Sequence, residues 1–141
     1  FDPKLNVVLL KETGRTAIDA AYSLKCEVGA IVKSLLFKAE SNFILCLVAG
    51  DKRCSLNKLK KITEFKDISM ASPDEVKDQT GYTIGGVSPV GHNKKIEILI
   101  DNSLERFIDL YAAAGHPNCI FKINFKNLQK ITNGKVKEII E

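Results

Sequence analysis

Two apolar stretches, AIVKSLLFKA (residues 30–39) and NFILCLVAG (42–50), are separated only by Glu40 and Ser41. A link this short lets the two segments pair antiparallel and leaves no room for a crossover helix. Neither stretch alternates cleanly between apolar and polar residues, so both strands are expected to be largely buried. A hairpin of this kind needs further strands beside it and helices over its faces. The rest of the chain reads as that supply.

Val7 to Leu10 forms a strand-like run, and Thr13-Gly14 turns the chain. Thr16 followed by Asp19 is a capping-box pattern ahead of Ala17, Ala20, Ala21 and Leu24, which suits a short helix. Ser55 to Ile62 reads as a lysine-rich helix and FKDISMA (65–71) as a strand. Ser72-Pro73-Asp74-Glu75 places Ser at the N-cap, Pro at the first helical position and Glu three residues after the cap. That helix ends near Thr80-Gly81. KIEILID (95–101) follows as a strand, and Asp101 caps a helical stretch over Ser103 to Phe107. IDLYAAA (108–114) and CIFKINF (119–125) read as strands, Lys126 to Ile131 as a helix, and Val136 to Ile140 as a last strand.

Short strands outnumber helices, and hairpins mix with helical connections. The expected class is α+β: a single domain with a curled mixed β-sheet, open and barrel-like, flanked by short helices. A doubly wound parallel sheet would need longer helices in strict alternation. At 141 residues the chain is expected to be one domain over residues 1–141, and its start at Phe1 suggests that a short native N-terminal segment is missing.

Apolar residues make up 45% and charged residues 27%, a globular balance. No apolar run approaches the roughly 18 residues of a membrane span, and no signal-peptide pattern opens the sequence. The expectation is a cytoplasmic protein with no membrane partner. A net charge of +4 permits a polyanionic partner without demanding one. Lysines concentrate in Lys52 to Lys66 and Lys122 to Lys137, either as solvated helix faces or as a weak phosphate-tracking surface. Cys26, Cys46, Cys54 and Cys119 form no CxxC pair, and two histidines are too few for a zinc site among scattered thiols. No metal and no cofactor is expected.

Lys33 is the first anomaly. On a strand from Ala30 to Phe37, alternation sets Ile31, Lys33 and Leu35 on one face and Val32, Ser34 and Leu36 on the other. A lysine between large aliphatics guards an edge, snorkels to water, or points into a polar pocket. In the last case it is a fixed ammonium able to bind phosphate or a developing negative charge. The second anomaly is IGGVSPVGH (84–92). Gly85 and Gly86 remove side chains that would block close approach, while Pro89 fixes its own backbone and holds Ser88 extended. The segment is either a plain turn or a pocket wall that presents backbone groups of residues 85–88 to a ligand. It is no P-loop, because no GK[ST] follows. His92 reads as part of an exposed turn, His116 as a turn residue or a catalytic candidate, and Asp101 as a helix cap or, less favoured, a residue facing the cleft.

In order, "RTAIDAAYSL", "CEVGAIVKSLLFK", "VAGDKR", "ASPDEVKDQTGYTIGGVSPVG", "IEILIDNSL" and "AAAGHPN" resemble the YbaK/ProX family of free-standing aminoacyl-tRNA deacylases. That family is similar to the editing insertion domain of bacterial prolyl-tRNA synthetases. The resemblance runs from about Thr16 to the C-terminus. It implies hydrolysis of the ester that joins a wrong amino acid to a tRNA 3′ end, commonly tRNA for proline. It places the family's required lysine on Lys33 and its GxxxP loop on Gly85 to Pro89. Catalytic roles would then fall to Lys33 and Gly85, and substrate contacts to Ser34, Gly86, Val87, Ser88 and Pro89. Ser34 stands where relatives carry Thr, Ser or Asn, a variation that tracks the amino acid accepted. His116 lies in "GHPN", which matches only in part the histidine motif of some relatives. The implied partners are the acceptor end of an aminoacyl-tRNA and prolyl-tRNA synthetase.

Two other functions fit the same residues. One is a non-catalytic tRNA- or nucleotide-binding module using the same pocket. The other is a small hydrolase of free esters acting through Cys119 or His116, which thiol alkylation would abolish.

Overall fold

The computed structural model describes residues 7–9, 17–84, 86–116 and 119–141, with only the backbone described for 7–9 and 116. The expected hairpin is there: β2 (Val32–Ala39) and β3 (Asn42–Ala49) pair antiparallel along their whole length, from Val32 opposite Ala49 to Ala39 opposite Asn42. Around it lies a five-stranded mixed sheet in the order β4-β2-β3-β5-β8. Strand β4 (Ile68–Met70) runs antiparallel to β2, whereas β5 (Glu97–Asp101) and β8 (Lys135–Lys137) run parallel to their neighbours. A second, antiparallel sheet has the order β1-β7-β6, from β1 (Val7–Leu9), β6 (Leu110–His116) and β7 (Cys119–Ile123). An isolated parallel bridge between Ile31 and Tyr111 joins the two sheets. The arrangement is α+β and mixed, as expected, and the sheet does not close into a barrel.

The lack of alternation in β3 has a direct cause, since Ile44 to Ala49 are each at most 1% exposed. One face of the hairpin packs Phe37, Ile44, Cys46 and Val48 against Leu59 of α2 (Leu56–Thr63), with Ile68, Leu99 and Ile139. The other face packs Leu36, Leu45 and Leu47 against Phe121 and Leu110 of the second sheet. Val76 of α3 (Pro73–Thr80) and Leu128 of α4 (Phe125–Thr132) seal that layer. Helix α1 (Ala17–Leu24) sets Ala20 and Ala21 against Ile31 and Ile120, at the seam between the sheets.

The capping box is complete. Glu75 N–H donates to Ser72 Oγ at 3.2 Å and Ser72 N–H donates to Glu75 Oε1 at 2.9 Å, with Pro73 opening the helix. Gly81 closes it at φ +82°, in the left-handed region that glycine tolerates. Asp101 caps a 3-10 stretch over Asn102–Arg106, accepting from Ser103 N–H at 2.9 Å.

The last strand departs from the sequence reading, because β8 covers Lys135–Lys137 rather than Val136 to Ile140. The reason is tertiary. Ile139 N–H donates to the buried Asp101 Oδ1 at 2.8 Å, and Ile140 bridges Cys54 instead of continuing along β5.

Candidate active site

Strand β2 has two different halves. Residues 37–39 pair with β4, and Ala71 N–H extends that ladder by donating to the Leu36 carbonyl. From Val32 to Leu35 the same edge has no strand partner among the described residues. Beside this open edge lies a cavity of about 370 Å³. Its walls are Ala17 and Ala20 of α1, Tyr111, Ala113 and Ile120 of the second sheet, and Val76 of α3. Met70 and Ile84, more than half exposed, stand at the mouth. The lining is almost wholly apolar. Lys33, Ser34 and Tyr111 are its polar side chains.

Lys33 is half-buried, and its Nζ donates to the Lys52 carbonyl at 2.5 Å. An ammonium has three N–H groups, so two remain for a ligand. Burial is the largest influence on its pKa and pushes it below the ordinary lysine value. Asp51 and Cys54 pull it back up, and Arg53 lowers it further. The cation is therefore partly stripped of water at the cavity wall, where a developing negative charge gains most from it. Ser34 lines the same cavity, and its Oγ is buried without a hydrogen-bond partner. An unsatisfied buried hydroxyl is uncommon in a native fold.

Across the cavity, residues 82–84 and 86–94 belong to a closed loop. Its ends meet where Asn93 N–H donates to the Thr80 carbonyl and Lys94 N–H to the Gln79 carbonyl. Tyr82 crosses the loop interior and donates its hydroxyl to the Val90 carbonyl at 2.8 Å. Its hydroxyl lies where a side chain on Gly91 (φ +75°) would go, and its ring edge where one on Gly115 (φ +98°) would. Val87 lines the cavity, while Gly86, Ser88 and Pro89 are buried.

The main chain here is less free than the sequence suggested. Gly86 N–H donates to the Thr83 carbonyl, and a His92 ring nitrogen lies 2.7 Å from the Ser88 carbonyl. His92 is thus half-buried and ties the loop down rather than standing in an exposed turn. Pro89 lines a separate, shallower depression with His92, Lys94 and Lys95.

Lys33, Ser34 and Val87 therefore meet at one cavity, whereas Gly86 and Ser88 are buried and do not line it. Gly85 lies outside the described residues. His116 ends β6, where it pairs with Cys119 past an irregularity; its side chain is outside the described set. Sequence reasoning missed Tyr82 and His92 as the loop's internal ties. It also missed a pair of thiols beside the lysine. The mutual interaction of Cys46 and Cys54 pushes the Cys46 thiol up and the Cys54 thiol down, and the charge on Lys33 lowers Cys54 as well. Among the described residues no three His, Cys, Asp or Glu side chains group as metal ligands.

A family pattern described as the aminoacyl-tRNA editing domain matches residues 11–131. The chain belongs to that family. It is 33% identical to the uncharacterized protein YwhH of Bacillus subtilis over 93% of this chain and 83% of that protein. It is 29% identical to the proline–tRNA ligase of Bacillus subtilis over 90% of this chain, which spans only 22% of the ligase. A solved structure described as a candidate trans-editing enzyme for prolyl-tRNA synthetase superposes with a TM-score of 0.92 at 39% identity. The superposition covers 97% of this chain and 87% of the other. The motif resemblance to an editing domain of prolyl-tRNA synthetases is borne out. No helix among the described residues is long and apolar enough to cross a membrane.

Proposed function

We propose that this chain is a trans-acting deacylase that hydrolyses the ester of a mischarged aminoacyl-tRNA, with tRNA for proline carrying a small wrong amino acid as substrate. The observation that carries this reading is the half-buried Lys33 ammonium at the wall of an apolar cavity of about 370 Å³. That cavity has the size of a small aminoacyl group with part of its ribose. The 3′-terminal adenosine would lie at the mouth near Met70 and Ile84, and the acyl side chain would enter between Val76, Val87 and Ala113.

The ester is intrinsically labile, so orientation and charge stabilisation matter more than a strong nucleophile. Water adds to the carbonyl carbon, and negative charge grows on the carbonyl oxygen. Collapse breaks the bond to the ribose oxygen, which leaves with the proton lost by the water. Lys33 stabilises the charge through an N–H not held by Lys52, or holds the adjacent phosphate. Ser34 and the backbone around Gly85 and Gly86 fix the acyl group and the water. Selectivity comes from size: one methylene is worth only about 1–3 kcal/mol, so a synthetase admits small mimics and a second sieve removes them. This function places the protein in the cytoplasm, working alongside prolyl-tRNA synthetase.

Lys33→Ala should leave the fold intact and lower deacylation by roughly ten- to a hundredfold, the worth of one charge-assisted contact. The assay is loss of amino acid from mischarged proline-, alanine- and cysteine-acceptor tRNAs. Wild-type rates for the variant on every substrate would reject the role of Lys33. Binding of the tRNAs by the wild-type protein without turnover would establish a binding module instead.

A further inference from the structure

The turn after β3 is tied at every residue from Gly50 to Lys52. Gly50 N–H donates to the Ile31 carbonyl at 2.8 Å, and a Cβ at Gly50 would collide with the Val28 carbonyl oxygen. Lys52 N–H donates to the Ala49 carbonyl at 3.0 Å, while the Lys52 carbonyl accepts from Lys33. Between them Asp51 takes both prongs of a guanidinium. Arg106 Nη1 donates to Oδ2 at 3.0 Å and Nη2 to Oδ1 at 2.7 Å.

Arg106 is itself fixed. Its Nε donates to the Ser103 carbonyl at 2.7 Å, and its guanidinium lies 4.8 Å from the Phe107 ring centroid. A Cβ at Gly29 would come within 2.9 Å of both that ring and Nη2, so glycine there leaves the arginine its place. The result is a continuous line of contacts from the 3-10 stretch before β6, through Asp51, to the carbonyl that holds the cavity lysine.

We propose that the Asp51–Arg106 fork is a positioning device for Lys33: it fixes the 50–52 turn so that the Lys52 carbonyl holds the ammonium at the cavity wall. The inference rests on the role given to Lys33 under the proposed function. Neither residue of the fork lines the cavity, so each acts through the turn. Stability alone is a poor account of the pair, because both side chains are more than a third exposed and such pairs contribute little. A planar two-point contact, by contrast, sets geometry. Asp51 has a second effect that separates from the first. Of the charged and titratable groups acting on Lys33, Asp51 and Cys54 favour the ammonium, whereas Arg53 disfavours it.

The test uses Asp51→Asn, Arg106→Gln and Arg106→Lys in the full chain, with Lys33→Ala alongside. All three fork variants are expected to lower kcat about tenfold with KM within twofold, the pattern of a misplaced group. Arg106→Lys keeps a charge but loses the fork, so it should fall with Arg106→Gln. Asp51→Asn alone should move the alkaline limb of the pH–rate profile to lower pH, because it removes a charge that favours the ammonium. Thermal melting should stay within a few degrees of wild type for each variant. Wild-type kcat in the fork variants, with Lys33→Ala lowered as expected, overturns this inference and leaves the deacylase reading standing. Full activity of Lys33→Ala would overturn both. A kcat loss matched by a large fall in melting temperature in all three variants would make the pair merely structural and also overturn it.

Discussion

Lys33 brings together what a strand demands and what a reaction needs. Its position on β2 is fixed by pairing opposite Val48, its ammonium by the Lys52 carbonyl, and its desolvation by the cavity wall. The acid–base consequence has a definite sign. Burial lowers the pKa, so the folded protein releases this proton at a lower pH than the unfolded chain does. Between the folded pKa and the ordinary lysine value of 10.5 the unfolded state binds more protons, so this group makes the fold more stable as pH rises through that window. Catalysis moves the other way. After subtraction of spontaneous ester hydrolysis, the rate should decline on the alkaline side before free lysine would titrate. A rate constant across that range would show instead that the ammonium is not the working form. Lys33 was visible in the sequence as a charge between aliphatics. Its holder was not, because the Lys52 carbonyl is a main-chain group with no side-chain signature.

At the level of elements, the segments read most accurately are those specified by neighbouring residues. The hairpin needs only its two-residue link, and α3 needs only Ser72, Pro73 and Glu75. Ser72→Ala should therefore cost about 1 kcal/mol and lower Tm by a few degrees, without changing deacylation. An unchanged Tm in a thermal melt would mean that the cap contributes nothing to holding α3. Elements set by distant partners were read less well. Strand β8 is displaced because the carboxylate of Asp101, 38 positions earlier, takes the N–H of Ile139. The 82–94 loop follows the same rule. Its glycines and proline announced unusual backbone, but the Tyr82 and His92 contacts that close it depend on the fold. Asp51 and Arg106 are 55 positions apart, and no local pattern links them.

For the molecule as a whole, the two sheets are held by a shared core rather than by a continuous ladder. Phe121 is fully buried in that core, and Ile120 beside it faces α1 at the seam. Phe121→Ala should cost about 3–5 kcal/mol, a large part of the stability of a domain this size, measured by denaturant unfolding. A loss below 1 kcal/mol would mean that the sheets adhere by other contacts. The unpaired stretch of β2 has a further meaning at this scale. Bare strand margins usually invite a second molecule to add itself, and proteins blunt them with charge, proline or curvature. Here the margin is covered by α1 and the 82–94 loop instead, so a roof stands where a second strand would add. Loosening that roof would exchange a selective chamber for an adhesive rim, and clumping should then accompany any broadening of the acyl groups admitted.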